Sequence, residues 1–511
     1  MISTRPIISG FHPDPSVCRV GNTYYLITSS FEYSPGIPIF RSTDLVQWTQ
    51  IGHVLTRREQ LDGVDLRPSG GIYAPTLRHH NGRFWVITTN VNKRPGQILM
   101  TAEHPDGPWT DPVRIPAAQG IDPDITWDAD GCCWLTWSGE MPVGHQAIVQ
   151  AELDTSTGEL LTEPTVIWRG TGGQFPEGPH LYFVDDLWYL LISEGGTERG
   201  HAITVARSES ITGPFIPSAS NPVLTARGTD WPTQNTGHGD FVQRPDGSWA
   251  TVFLGARPRG STPSWHILGR ETFAAEVVWV DGWPVVGAPI EPRDDSLFTE
   301  AAFSEPSSAV TAPGEAESSN HIPLSIVSAP GLPADWLRVD RGQWTLVGCS
   351  DATFVGRRQE HLFMSTLARI GAGASLELRI DPRHRVTVTV EPTAVTAVAT
   401  IGGKAVDLGT MTVSGHPTVE IRTQPSPELE GTPLNGPDLV VVRVFDHGVW
   451  TELGSIDGRY LSTEVAGGFT GRFIGLASGT HNATISLFDY RGSDDYSVLA
   501  DLTAVDAPSR E

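Results

Sequence analysis

The stretch Phe11-His12-Pro13-Asp14-Pro15-Ser16-Val17 sets a carboxylate between two prolines, shortly before the strand-like run Tyr24-Tyr25-Leu26-Ile27-Thr28. Proline fixes its own φ and restricts the residue before it, so Asp14 is expected on a stiff, extended backbone. Alone, such an aspartate is an ordinary turn or strand-entry residue. What sets it apart is that its surroundings recur.

Five strand-like segments, residues 24–28, 84–88, 133–137, 188–192 and 249–253, each follow a turn: Gly21-Asn22, Asn81-Gly82, Asp130-Gly131, Asp185-Asp186 and Asp246-Gly247. Before each turn lies a shorter apolar stretch anchored by Val17, Leu77, Ile125, Leu181 or Val242, at intervals of 60, 48, 56 and 61 residues. A strand–turn–strand unit returning about every 50 residues is the signature of a β-propeller, one blade per copy. Five copies predict five blades, and helical periodicity is scarce throughout.

In a propeller the first strand of every blade lines the axis, so equivalent positions converge at one mouth of the channel. Three residues before their anchors lie Asp14, Ala74 and Asp122; four before theirs lie Glu177 and His238. Clustered like charges cost energy that a packing repeat has no reason to spend. Two carboxyl groups across a pocket can cleave a glycosidic bond, one protonating the leaving oxygen while the other activates water or attacks the anomeric carbon. A third carboxylate nearby disfavours ionisation of the acid and keeps it protonated near neutral pH.

Seven runs in register carry a resemblance: FHPDPSVCRVGNTYYLITSSFEYSPGIPIF (11–40), SGGIYAPT (69–76), GIDPDI (120–125), PEGPHLY (176–182), EGGTERGHAITVARS (194–208), GHGDFV (237–242) and LGRETF (268–273). Together they resemble glycoside hydrolase family 43, and within it the bacterial β-xylosidase / α-L-arabinofuranosidase branch. The resemblance implies a five-bladed propeller and an inverting mechanism. It matches Asp14 to the general base, Glu177 to the general acid and Asp122 to the carboxylate that raises the acid's pKa and orients it. Arg270 matches a pocket arginine that hydrogen-bonds sugar hydroxyls or holds a carboxylate ionised, a blade-to-blade salt bridge being the alternative. His238 matches a pocket histidine that in some relatives lies beside an axial calcium ion; no metal is required here, and calcium near His238 is left open. Phe31 and Tyr73 match aromatic walls of the sugar subsite, with Tyr73 standing where many relatives carry Trp, and Thr197 matches a threonine near the same subsite. Trp137 is expected in the core.

The expected activity is release of xylose from the non-reducing end of β-1,4-xylo-oligosaccharides. An α-L-arabinofuranosidase, or an enzyme with both activities, is the alternative, since the same carboxylates serve either sugar. A non-catalytic sugar-binding propeller is the distant rival, and it predicts the loss of Asp14, Asp122 or Glu177, all of which are present. A retaining fructan or sucrose hydrolase would carry Asn-Asp-Pro-Asn and Arg-Asp-Pro strings, and neither occurs.

Across the 511 residues, 35 Lys and Arg against 59 Asp and Glu give a net charge of −24. That balance argues against nucleic acid and anionic membranes as partners and leaves a small oligosaccharide as the expected one, with self-association open. No apolar run is long enough to span a bilayer as a helix. Residues 1–5 show no basic-plus-apolar leader, and the four cysteines, Cys18, Cys132, Cys133 and Cys349, have no zinc spacing; a cytoplasmic address is expected.

The catalytic propeller is assigned to residues 1–292. Residues 293–320, rich in Pro, Ser, Ala and Glu, are assigned to a linker, and 321–511 to a C-terminal domain. Period-2 alternation over 375–380, 385–390, 395–401, 418–422, 439–445, 473–477 and 483–488 predicts a β-sandwich. FVGRRQEH (354–361) and FTGRFIGLAS (469–478) resemble the concanavalin-like sandwich attached to the same branch. The fold class is thus all-β, a five-bladed propeller followed by a sandwich.

Overall fold

A computed structural model describes residues 3–61, 67–92, 95–140, 146–292, 297–304, 321–349, 353–426 and 435–505. The chain divides into two compact units, Met1–Arg257 with Arg270–Arg293, and Pro258–Gly269 with Asp294–Glu511.

The first unit is the five-bladed propeller. Five sheets, four of them four-stranded and one with an added short strand, follow each other in chain order, each an antiparallel meander from an innermost strand outward. The innermost strands are Ser16–Val20, Thr76–His80, Gly120–Trp127, Glu177–Val184 and Gln234–Gln243. The turns read from sequence join first to second strands. Asn81-Gly82 and Asp185-Asp186 have positive φ at both residues (50° and 73°, 48° and 63°), the type I′ geometry that matches strand twist.

The second strands read as near-continuous apolar runs because each blade is covered on both faces by its neighbours. In Leu187–Glu194, Leu190 and Ile192 pack with Ile148 and Trp168 of the third blade. Tyr189 and Leu191 of the same strand pack with Phe241 and Phe253 of the fifth. The ring closes at the first blade, where Val17 N and Ser16 Oγ donate to Asp240 at 3.0 and 2.7 Å. Ile7 N and Ile8 N both donate to Thr272 O.

The inner strands corrected two readings. Asp14 is not extended: its φ is +56°, and Asp122 (+55°), Gly178 (+55°) and His238 (+48°) share that left-handed turn. The tight turn, just before the first inner strand at Asp14 and within the first residues of the others, turns the chain toward the axis at a local conformational cost. Taking it as the marker of equivalence, the fifth anchor is Phe241, not Val242, and His238 then lies three residues before its anchor like Asp14. In the fourth blade the equivalent position is Gly178, so Glu177 reaches the axis from one residue earlier.

Two residues beyond the turn lies a second tier: Ser16, Asp124, His180 and Asp240. Arg78 ties it together, pairing with Asp124 at 2.9 Å and Asp240 at 3.0 Å and donating to His180 Nδ1 at 2.9 Å. Ser16 Oγ and Asp124 also accept from Leu77 N and Leu181 N of the next blades. Burial pushes the Asp240 carboxyl up, but Arg78 and the donors around it win and hold it at about 2. Beyond this tier, at the opposite mouth, a cavity of about 350 Å³ is lined by Arg19, Arg78, His80, Trp127 and Trp249 and holds none of the predicted site residues.

The second unit is a β-sandwich of an eight-stranded and a seven-stranded sheet around one apolar core. All seven strands read from alternation are present. Two boundaries differ from the reading. Phe298–Ser304, assigned to the linker, is a strand paired with Ala483–Ser493. Its alternation is broken by a bulge at Ala301/Phe303, which hid it beside the Pro/Ser-rich run. Pro258–Gly269, assigned to the propeller, belongs to the second unit: Thr463 N donates to His266 O and Arg472 N to Ile267 O. Of the assigned linker, residues 293–296 and 305–320 lie outside the described residues.

Candidate active site

The left-handed turns and Glu177 deliver their side chains to one mouth of the axis. Asp14 is buried and accepts from Arg270 Nη1 at 2.8 Å and Ser29 Oγ at 2.6 Å, with His238 Nδ1 at 3.9 Å. Burial pushes its carboxyl up, but the Arg270 guanidinium, His238 and the Ser29 hydroxyl outweigh it and hold Asp14 below its ordinary value. Asp14 is therefore a carboxylate in working conditions, fit to take a proton.

Asp122 is the opposite case. Burial first, then the charges of Glu177 and Asp14, hold it well above the ordinary carboxylate range, although Gly178 N–H donates to it. A carboxylate oxygen of Asp122, one of Glu177 and a ring nitrogen of His238 lie within 4.8 Å of one another. Two carboxyls that close cannot both ionise freely, and Asp122 is the one that holds its proton more tightly than an ordinary carboxyl. The contrast with Asp14 separates a carboxylate fit to act as a base from a carboxyl that keeps its proton beside Glu177.

His238 is fixed between these groups. Its backbone N–H donates to Ser193 Oγ at 2.5 Å, and burial holds the imidazole below its ordinary value. A Cβ on Gly178 would stand 3.0 Å from the His238 ring, so the glycine of Pro-Glu-Gly-Pro-His makes room for the histidine of another blade.

Arg270 Nη1 also donates to Thr197 Oγ1 at 3.1 Å, and its guanidinium lies 5.7 Å from the centroid of the Phe31 ring. Phe31 packs against Tyr73 with centroids 4.9 Å apart and against Phe11 at 5.5 Å, forming an aromatic wall. Tyr73 OH donates to Ser69 O at 3.1 Å. All eight predicted residues, Asp14, Phe31, Tyr73, Asp122, Glu177, Thr197, His238 and Arg270, are thus connected in one constellation. Trp137 is buried in the core between the second and third blades, its Nε1 donating to Gln119 O, as expected.

Sequence reasoning missed Ser29 and Ser193, whose hydroxyls hold Asp14 and His238, and His201, whose Nε2 lies 3.5 Å from Glu177 Oε1. His201 stood inside a quoted motif, but nothing in its spacing marked it. As for calcium, Asp122, Glu177 and His238 offer two carboxylates and an imidazole, whereas the ion takes six to eight oxygens. These three side chains supply fewer oxygens than calcium takes, so water or sugar oxygens would have to complete a shell built on them.

A propeller whose mouth gathers three carboxylates, an arginine and an aromatic wall defines a glycoside hydrolase. The chain matches the model for Glycosyl hydrolases family 43 over residues 3–284, and it belongs to that family. Among its relatives is the Non-reducing end alpha-L-arabinofuranosidase BoGH43B of Bacteroides ovatus, 34% identical over 96% of this chain and 95% of that protein. The Xylosidase/arabinosidase of Butyrivibrio fibrisolvens is 43% identical over 58% of this chain, a match spanning only 59% of that protein. The crystal structure of xylan beta-1,4-xylosidase from Bacillus Halodurans C-125 is similar with a TM-score of 0.82 at 29% identity, covering 96% of this chain and all of that one. The protein is a glycoside hydrolase, and its substrate is a carbohydrate.

Proposed function

We propose that the protein is an inverting exo-glycosidase that releases xylose from the non-reducing end of β-1,4-xylo-oligosaccharides. The observation that carries the reading is the division of the carboxyls: Asp14, paired with Arg270 and Ser29, is held below its ordinary value, whereas Asp122, facing Glu177 within 4.8 Å in the same pocket, is held well above it. Water that loses a proton to Asp14 attacks the anomeric carbon. Glu177 protonates the departing oxygen on the opposite face, and the bond between that oxygen and the anomeric carbon breaks. Asp122 keeps Glu177 supplied with a proton, and Arg270, His238 and Thr197 hold the sugar's hydroxyls against the wall of Phe31 and Tyr73. Inversion follows if water fits between base and acid, which requires about 6.5–9.5 Å between the carboxyls. Of the similar proteins, the Bacillus xylosidase supports the choice of xylose.

A second reading, α-L-arabinofuranosidase, is favoured by the match along nearly the full chain to the Bacteroides enzyme. Tyr73, a narrower platform than the Trp of many relatives, bears on the same choice. Turnover of 4-nitrophenyl β-D-xyloside against 4-nitrophenyl α-L-arabinofuranoside decides between them, and a large preference for the furanoside overturns the first. Proton NMR of the first-formed anomer tests inversion, and a product that retains configuration overturns the single displacement.

A further inference from the structure

We propose that His201 is a positioning residue for the general acid: it holds the Glu177 carboxyl in place and keeps a proton on it. The inference rests on the reading of Glu177 as the acid and names a residue that reading does not use. His201 is fully buried, and its ring is pinned from the neighbouring blade. Nδ1 lies 3.0 Å from Asn235 O, and a Cβ on Gly237 would fall 2.3 Å from the ring, so the glycine of Gly-His-Gly-Asp is the space the imidazole occupies. Asn235 itself has φ +60°, a conformation that turns its carbonyl to this task.

A carbonyl only accepts, so Nδ1 carries the hydrogen and, in the neutral ring, Nε2 presents a lone pair. Among the described residues Nε2 has no hydrogen-bond partner, and the nearest acidic atom is Glu177 Oε1 at 3.5 Å. A lone pair facing a carboxylate oxygen is repulsive. The contact becomes favourable only when the pair holds one proton, on Glu177 as the acid or on Nε2 with Glu177 as carboxylate. Only the first keeps the acid loaded: a neutral Nε2 that accepts from the protonated Glu177 carboxyl favours its acid form, and gaps of this length commonly tighten in the substrate complex. The charged and titratable groups that face His201 are Glu177, Asp14 and His238, with Asp122 acting on it through Glu177. Asp14 and Asp122 favour retention of the proton, and His238 disfavours it.

The test compares wild type, His201→Phe, His201→Gln and Glu177→Gln on phenyl and 2,4-dinitrophenyl pentosides, the xyloside and the arabinofuranoside alike. The dinitrophenolate leaves without protonation, whereas the phenolate needs the acid. His201→Phe is expected to slow the phenyl substrates by about 10²-fold, the scale of an impaired acid, with the dinitrophenyl substrates changed less than about tenfold. The alkaline limb of kcat should move to lower pH. His201→Gln, which restores an acceptor, should recover part of both effects and carries the test if the Phe variant does not fold. Equal losses on both leaving groups with an unmoved alkaline limb would reduce His201 to packing and overturn the inference. If instead Glu177→Gln turns over the phenyl substrates normally, the assignment of the acid itself is wrong, a result separate from any outcome at His201.

Discussion

Replacing Arg270 by methionine removes the cation that keeps Asp14 ionised, and the size of the effect follows from the geometry. Nη1 and Oδ1 are 2.8 Å apart with both side chains under a tenth exposed. Charge centres about 4 Å apart interact by about 4 kcal/mol at an effective dielectric near 20. Breaking a buried pair from one side costs about 3–5 kcal/mol, limited by the carboxyl taking up a proton instead. Asp14→Asn/Arg270→Met removes both charges, so it should be more stable than the sum of the single variants predicts, by about 2–3 kcal/mol. Urea denaturation of the full chain reads this coupling. The pH dependence has a definite sign. Because the native Asp14 lies below its ordinary value, its stabilisation is complete above the unfolded carboxylate value of about 3.9 and is lost as pH falls through the native value beneath it. In Arg270→Met burial is less opposed, Asp14 rises, and the acid limb of kcat/KM should move to higher pH. Additivity within about 0.5 kcal/mol together with an unmoved acid limb would refute this account of the pair.

Asp14→Asn and Glu177→Gln are each expected to lose nearly all turnover on unactivated oligosaccharides while circular dichroism and melting stay close to wild type; an active Asp14→Asn enzyme would remove the base. Asp122→Asn should lower kcat by about 10²-fold and shift its alkaline limb to lower pH. Because the raised native value of Asp122 contributes stability below its unfolded value and loses it as pH climbs through the native one, the variant should also lose less stability than wild type over that rise; an identical stability profile counts against the raised value. Gly237→Ala drives a methyl into the His201 ring, and a displacement of that order near the acid is expected to cost about 10² in kcat/KM with about 1–3 kcal/mol of stability. Wild-type activity in that variant would show the ring free to move aside.

The blades were legible because each hairpin carries its own turn chemistry, and Asn81-Gly82 announces the joint whatever surrounds it. Asp14, Asp122 and Glu177 stood out because acidic groups at equivalent places need a reason. What stayed hidden depends on contacts between distant segments. Ser29 is one serine among several until the turn at Asp14 brings the carboxylate to it. His201 gains meaning only from Asn235 and Gly237, residues of a different blade. The left-handed turn at Asp14 ran against the usual effect of a following proline, and Phe298–Ser304 was masked by its bulge and its Pro-rich neighbour. The exposed strand Lys404–Thr412, with no buried face to impose a pattern, left no alternation to find.

The tier beneath the pocket bears on how this enzyme could acquire a new sugar preference. Arg78, Asp124, Asp240 and Ser16 each answer to partners in two or more blades, so one substitution there unsettles several blades of the ring at once and offers evolution no small step. The aromatic partition of Phe31 and Tyr73 is held largely by ring packing, which tolerates a change of shape better than a buried ion pair tolerates the loss of one partner. Directed diversification is therefore best aimed at that partition, with the ionic floor left as the invariant foundation on which variants are raised.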